Sequence, residues 1–240
     1  MNRERPIRSY VLRQGRMSVA QQRGLDEGWP RWGINFDAKT KLDEARLHQI
    51  FGRAAPLVME IGFGMGEGTL MLAQQRPDWN YLALDVHGPG VGSLLNRLTE
   101  QRVEHVRVMR HDAVEVVCDM LGEEVLDAVH IYFPDPWPKL RHHKRRLIQP
   151  EFVRQLTRRL KVGGYLHLAT DWQDYAEQMK SVLQAETSLL LSTAGYIPRP
   201  DWRPQTRFEV RGMGLGHGVW DLMAIRREFA DVGVTNERFT

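Results

Sequence analysis

A carboxylate held between two prolines is the feature of this sequence best suited to chemistry. Asp135 lies in the run FPDPWPK (residues 133–139), and a cationic stretch, KLRHHKRR, follows over residues 139–146. Proline fixes φ at about −65° and removes a backbone donor, so a helix or central strand is excluded here. The sequence therefore predicts a stiff loop. In it, Asp135 could pair with a guanine edge, Trp137 could stack on a base, and the cations could hold phosphates.

The charge of the chain is concentrated in two segments. Lys and Arg total 33 against 30 Asp and Glu, for a net charge of +3. Residues 1–23 carry +5 and residues 139–161 carry +8, so the remainder is acidic. This asymmetry is typical of polyanion binding, although the first segment could also be a basic tail without a partner. We expect RNA contacts from four cations of the second segment: Arg141, Lys144, Arg145 and Arg146.

Composition excludes several classes of protein. The 240 residues, 42% of them hydrophobic, suffice for one sizeable α/β domain. No apolar run approaches the roughly 20 residues of a membrane span, and the N-terminus lacks a secretory apolar core. A single cysteine, Cys118, permits neither an internal disulfide nor a cysteine-based metal cluster. We therefore expect a cytoplasmic protein without a membrane anchor or a bound metal.

Strand-like and helix-like segments alternate from residue 57 onward. Apolar runs predict strands at residues 57–61, 81–86, 106–109, 126–133 and 165–170, with a late strand at 219–225. Periodicity and boundary residues predict helices at 42–51, 67–75, 91–102, 113–121, 150–160 and 172–186. The helix at 150–160 is expected to end at Gly163-Gly164. Residues 1–40 show little periodicity and are interpreted as an arm whose Trp29–Gly33 turn docks on the body. The alternation implies a parallel sheet with helices on both faces.

A glycine-rich turn follows the first predicted strand, where doubly wound sheets bind ligands. Glu60 lies in that strand beside the turn, and three glycines let the backbone approach a ligand closely: Gly62, Gly64 and Gly66. Because residue 67 is Glu, the spacing is not the dinucleotide fingerprint, and the Gly-Lys-Ser/Thr of a P-loop is absent. A tight packing turn without a ligand is the alternative.

Acids at the ends of the first three strands indicate which ligand this turn could take. Asp85 lies at the end of the second predicted strand and could accept two ribose hydroxyls. Asp112 follows the third strand and could meet an adenine amino group. Glu60 could hold a cationic amino group. A ligand with ribose, adenine and a positive centre fits this set, and S-adenosylmethionine is such a ligand.

Several motifs together resemble those of the bacterial tRNA (guanine-N7)-methyltransferases, over roughly residues 6–226. They are EIGFGMG, LDVHGPGVG, HDA, FPDPWPKLRHHKRR, ATDW, TRFEVRG and GHGVWDLM. The resemblance implies a Rossmann-like class I methyltransferase with a mainly parallel seven-stranded sheet. It implies methyl transfer from S-adenosylmethionine to guanine N7 in tRNA, at position 46 of the variable loop, leaving S-adenosylhomocysteine. Asp85 is a mild departure, because some relatives carry Glu there.

The resemblance also implies roles for individual residues. Cofactor contacts would come from Glu60, Gly62, Gly64, Gly66, Asp85, Asp112 and Asp135, with Asp135 also catalytic. Substrate contacts would come from Lys139, Asp171, Thr206, Arg207, Phe208 and Glu209. Trp137 and Phe208 could either stack on the base or pack in the core. The expected division is an arm (1–40), a methyltransferase domain (41–226) and a tail (227–240), acting as a monomer or homodimer without an obligatory protein partner.

Two other functions stay open at this point. One is a methyltransferase for exocyclic amines, whose loops resemble Asn/Asp-Pro-Pro-aromatic; here Trp137 follows Pro136 directly, which departs from that pattern. The other is an RNA-binding module with a degenerate methyltransferase fold. The intact acids at positions 60, 85, 112 and 135 argue against the second alternative.

Overall fold

The structure is a computed structural model that describes residues 8–11, 16–206, 209–210, 214 and 218–228. Its strands are β1 (Leu57–Ile61), β2 (Asn80–Leu84), β3 (Val106–Met109), β4 (Leu126–Tyr132), β5 (Leu160–Thr170), β6 (Leu189–Leu191) and β7 (Trp220–Arg226). Its α-helices are α1 (Val19–Trp32), α2 (Glu44–Phe51), α3 (Glu67–Gln75), α4 (Gly88–Gln101), α5 (Ala113–Glu115), α6 (Pro150–Arg159) and α7 (Gln173–Ala185). A π-helical turn (Val116–Met120) continues α5, and a 3-10 helix spans Leu140–Arg145.

The strands form one sheet in the order β3-β2-β1-β4-β5-β7-β6. The first five pair in parallel, whereas β7 runs antiparallel between β5 and β6. The expected mainly parallel, seven-stranded fold is therefore confirmed. Parallel pairing places the carboxyl ends of β1 to β4 at one edge of the sheet. Among the described residues, no helix is both long and apolar enough to cross a bilayer.

Apolar side chains cover both faces of the sheet, as the continuous apolar runs require. On one face, Met59 and Leu82 pack with residues of α2, α6 and α7. On the other face, Val58 and Tyr81 pack with residues of α1, α3 and α4. Full burial of one such side chain contributes about 1.5–3 kcal/mol. Helices therefore cover both faces of the sheet. A ligand site can form only at the loops that follow the strand ends.

Three sequence-based assignments differ from the structure in more than the exact end of an element. The helix expected at 113–121 is only one α-turn, followed by the π-helical turn, because Leu121 N–H donates to Val116 O. Helix α6 ends at Arg159, and β5 then runs through the Gly163-Gly164 pair that was expected to stop the helix. Gly163 has φ of 83° and the pairing with β4 shifts register here, so these glycines serve a bulge. Strand β6 was not predicted.

The prediction of an irregular arm over residues 1–40 was wrong for the segment that forms α1. Ser18 and Gln21 cap its first turn reciprocally, a Ser-x-x-Gln signal present in the sequence. The helix was missed because two glycines and a proline inside the segment are residues that disfavour helices. Trp32 at its end is buried and donates its indole N–H to Val103 O at 2.9 Å, so the expected docking on the body is present. The division at residues 40 and 226 stays a prediction.

Glycines in α1 and α4 allow the two helices to approach closely. A Cβ on Gly92 of α4 would lie 2.1 Å from Gln21 O of α1. We expect Gly92→Ala to lower the free energy of unfolding by about 1–3 kcal/mol, because backbone must move to admit the methyl group. The matched control is Gly68→Ala in α3, where an added Cβ meets nothing within 4 Å. It should leave stability unchanged or raise it by up to about 1 kcal/mol. Denaturant titration measures both, and equal stabilities would contradict the close approach.

Candidate active site

The glycine turn after β1 leaves open space beside its backbone. Gly62, Gly64 and Gly66 have φ of 81°, 60° and 76°, values that side chains disfavour. A Cβ on Gly62 or Gly64 would meet nothing within 4 Å, whereas one on Gly66 would lie 2.6 Å from Leu94 Cβ. The first two glycines therefore leave room for a ligand, and the third is required by packing against α4.

Glu60 presents a buried carboxylate at the base of this turn. The residue is 7% exposed, and its Oε2 has no hydrogen-bond partner. Burial raises the pKa of Glu60 to about 7; the neighbouring Thr69 hydroxyl opposes the rise, and the nearby charge of Asp85 adds to it. An unpartnered buried acceptor is costly unless a ligand satisfies it. A cationic amino group is a suitable ligand for such an oxygen.

Asp85 and Asp112 follow the neighbouring strands at the same edge. Asp85 accepts one backbone N–H on each oxygen, from Gly64 at 2.9 Å and from His87 at 2.8 Å. Burial raises the pKa of Asp85, and these two hydrogen bonds oppose the rise. Asp112 accepts from Val114 N–H at 2.9 Å and so caps α5. Each carboxylate oxygen has a second lone pair for a ligand donor.

The proline loop follows β4 and is tightly constrained. Phe133 N–H donates to Ala169 O of β5 at 2.7 Å. Phe133 and Trp137 have φ of 51° and 45°, a conformation that costs free energy for residues with a side chain. Between them lies Asp135, which is exposed. The expected stiff loop is therefore present, with its carboxylate at the surface.

Arg146 is buried, in contrast to the expectation that it contacts RNA. Its residue exposure is 2%, and its Nε donates to Pro136 O at 2.8 Å. Its other nitrogens bond to Gln178 and pair with Asp174 of α7. Arg146 therefore braces the proline loop against α7, and a phosphate could reach it only by displacing these partners.

Arg145 and Trp137 hold a short N-terminal segment, residues 8–11. The indole N–H of Trp137 donates to Ser9 O at 3.0 Å, and Arg145 donates to the carbonyls of Arg8 and Tyr10. The Arg145 guanidinium lies 4.0 Å from the centroid of the Trp137 ring. Trp137 is thus not a core residue. Because the Arg145 guanidinium covers one face of its ring, a base could not stack on both faces. Of the four expected RNA cations, only Arg141 and Lys144 are exposed.

The residues expected to touch the substrate have different environments. Lys139 is exposed and Asp171, directly after β5, is half-buried. Arg207 and Phe208 lie outside the described residues. Thr206 and Glu209 bond reciprocally, Glu209 N–H donating to Thr206 Oγ1 at 3.1 Å. The Thr-x-x-Glu spacing is typical of a capping box.

Glu209 does not present a free carboxylate to a substrate. It is 3% exposed and forms a two-pronged ion pair with Arg203, a residue that sequence reasoning did not select. The direct substrate contact expected of Glu209 therefore conflicts with its burial. No sequence signal identified Arg203, because it is one of several arginines in this Pro- and Gly-rich stretch and arginine is usually at the surface.

Comparisons with known proteins agree with this geometry. Residues 54–222 match the model of a family described as putative methyltransferase. The 16S rRNA methyltransferase KamB aligns with a TM-score of 0.58 at 16% identity, over 78% of this chain and 95% of that one. A 16S rRNA (adenine(1408)-N(1))-methyltransferase of Catenulisporales acidiphilia aligns with a TM-score of 0.55 at 16% identity, over 79% and 95%. The fold is that of the class I methyltransferases.

Two curated relatives define the family more narrowly. A tRNA (guanine-N(7)-)-methyltransferase of Chromobacterium violaceum is 54% identical, over 93% of this chain and 97% of its own. A tRNA (guanine-N(7)-)-methyltransferase of Aromatoleum aromaticum is 57% identical, over 93% of this chain and 85% of its own. The chain belongs to the tRNA (guanine-N7)-methyltransferase family.

The raised pKa of Glu60 predicts a pH-dependent stability. The folded-state pKa of about 7 lies above the ordinary value of 4.5, so the folded protein holds a proton that the unfolded chain releases. Stability contributed by this proton is complete below about pH 4.5 and is lost as pH rises through about 7. The full shift corresponds to about 3 kcal/mol. Glu60→Gln removes this pH dependence. The free energy of unfolding of the variant, relative to that of the wild type, should therefore rise by about 3 kcal/mol between about pH 4 and about pH 8.

The measurement is denaturant unfolding without cofactor across this pH range. Glu151→Gln is the matched control, because it makes the same substitution at an exposed side chain on α6. If the profiles of wild type and Glu60→Gln are parallel, the pKa of Glu60 is the same in the folded protein as in the unfolded chain, which would contradict the raised pKa.

Proposed function

We propose that this protein transfers a methyl group from S-adenosylmethionine to N7 of a guanine in tRNA. The observation that carries the proposal is 54–57% identity, over 93% of the chain, to relatives named for that reaction. The open glycine turn, the acids at the strand ends and the constrained carboxylate loop support it. The target is guanine 46 of the variable loop, as the resemblance implies, and the reaction takes place in the cytoplasm.

The residues at the strand ends fit this cofactor. When bound, S-adenosylmethionine supplies a methyl group activated by a positively charged sulfur. Glu60 would accept the amino group on its unpartnered Oε2, and the added positive charge would lower the pKa of this carboxylate. Asp85 would accept ribose hydroxyls while Gly64 N–H and His87 N–H keep it oriented. Asp112 would accept the adenine amino group.

The target atom decides what the chain must do. Guanine N7 carries a lone pair and no proton, so no general base is needed for the attack. The protein must instead align the base and stabilise the positive charge that develops on the purine. Asp135 suits both requirements, because its carboxylate can accept from the guanine N1–H and amino group. The brace from Arg146 to Pro136 O and the bond from Phe133 to β5 hold this carboxylate in place.

The exposed cations of the 3-10 helix and its start provide the phosphate contacts. Lys139, Arg141 and Lys144 are exposed, whereas Arg145 and Arg146 bond to the protein itself. A tRNA lying across these three cations would place a guanine near the neighbouring Asp135. Because Arg145 and Arg146 bond to the protein itself, Arg141 and Lys144 remain of the four cations expected to contact phosphates, and the exposed Lys139 joins them.

The salt dependence of tRNA binding tests this division. Replacing Lys139, Arg141 and Lys144 together with Gln should lower the slope of log K against log salt by about 0.7–0.9 per lost contact. Arg154→Gln with Arg158→Gln is the control, since these exposed cations lie on α6 and pair with Glu151 and Glu123. Filter binding at several salt concentrations measures the slope. A wild-type slope in the triple variant would remove these cations from the interface.

The role of Asp135 is tested by Asp135→Asn. The amide keeps the size, loses the charge and turns a donor toward the guanine N1–H, so turnover should fall by roughly 10²–10³. Affinity for tRNA should change little, because phosphates dominate binding. The assay uses labelled S-adenosylmethionine and unmodified tRNA, followed by digestion and identification of the nucleoside. A product other than N7-methylguanosine would overturn the proposed function, and near-wild-type turnover of the folded variant would remove Asp135 from the chemistry.

A further inference from the structure

A buried polar network joins the proline loop to the segment that carries Thr206. Tyr132 OH lies 3.0 Å from His167 Nδ1, and His167 Nε2 lies 2.8 Å from Asp221 Oδ1. Arg203 then donates to Asp221 Oδ2 at 2.9 Å. The network thus crosses from β4 through β5 to β7 and ends in an arginine.

Arg203 holds two carboxylates at once. Its Nη1 and Nη2 donate to the two oxygens of Glu209 at 2.7 and 3.1 Å. Its Nε lies 2.7 Å from Asp221 Oδ1. Arg203 is fully buried, and both acids are 3% exposed or less. Only a planar guanidinium has donors on two edges for such an arrangement, and a lysine ammonium does not.

The guanidinium also lies under the start of the proline loop. Its carbon is 5.6 Å from the centroid of the Tyr132 ring and 5.7 Å from that of Phe133. Phe133 is the strained residue two positions before Asp135. Arg203 therefore contacts the loop that carries Asp135 and, through Glu209, the turn that carries Thr206.

Stability alone does not account for this network. Replacing a buried ion network with apolar side chains is often neutral or stabilising. Trp202, just before this segment, packs against the sheet, and the buried ones among the described residues of 203–210 are Arg203, Pro204 and Glu209. The ion pairs of Arg203 with Glu209 and Asp221 are the contacts that tie the Thr206–Glu209 turn to β7.

We infer that Arg203 is a positioning residue for methyl transfer to tRNA, an inference that rests on the proposed function. Arg203 fixes the Thr206–Glu209 turn and the proline loop on the same side of the strand ends, so that both face one substrate. Glu209 thus anchors the turn from the buried side, and Thr206 with the exposed Gln205 and Val210 forms the surface that meets the tRNA.

Arg203→Lys tests the inference, because it keeps the positive charge but cannot bond to both carboxylates in two-pronged fashion. We expect kcat/KM for tRNA to fall by about 10–100-fold, while the affinity for S-adenosylmethionine, measured by calorimetry, stays within about twofold. Hydrogen exchange at the Glu209 amide, which bonds to Thr206 Oγ1, should become faster. Arg226→Lys is the control, since Arg226 pairs with Glu124 and lies at the opposite end of β7. It should leave kcat/KM unchanged.

A second variant keeps the test informative if Arg203→Lys does not fold. Glu209→Gln preserves shape and leaves Arg203 paired with Asp221, and it should lower kcat/KM in the same way. If Arg203 acts through Glu209, the kcat/KM of the double variant should be no lower than that of the less active single variant. Additive losses, or loss of cofactor affinity in parallel with activity, would overturn the positioning role. An inactive wild type would instead reject the proposed function, while unchanged activity in both single variants would reject only this inference.

Discussion

The parallel pairing of β1 with β2 and β4 is the constraint on which the rest of the structure depends. It brings the carboxyl ends of these strands to one edge, so Glu60, Asp85 and the proline loop lie beside one another although they are far apart in sequence. The backbone then completes the arrangement, because Gly64 N–H binds the Asp85 carboxylate across two of these ends. Burial at this edge makes the carboxylates costly to ionise, and a cationic ligand would relieve that cost.

Arginine side chains act as internal braces around this edge. Arg146 ties the proline loop to α7, Arg145 ties residues 8–11 to Trp137, and Arg203 ties the Thr206–Glu209 turn to β7. A guanidinium suits this use because it stays charged when buried and bonds to several carbonyls or carboxylates in one plane. The segment richest in arginine is therefore partly a structural element, and the cations left exposed beside Asp135 are fewer than the sequence indicates.

Charge is separated along the candidate site. Acids lie at the ends of the central strands, and exposed cations follow the proline loop. A cofactor with a positive centre and a polyanionic substrate would each find the opposite charge, with Asp135 between them. A carboxylate at that boundary suits a reaction in which positive charge moves onto the base.

The sequence by itself determined the βα order, the strand ends and the acids and glycines that follow them. These are local features, because apolar runs and glycine or proline punctuation act within a few residues. The motifs likewise determined the family. Only the tertiary structure decided that the glycines of α1 pack against α4, that Gly163-Gly164 lies inside a strand, and that Arg146, Arg203 and Glu209 are buried. From sequence alone, a charged residue is expected to be exposed. Whether it is buried depends on partners from distant segments, and only the folded chain brings these into contact.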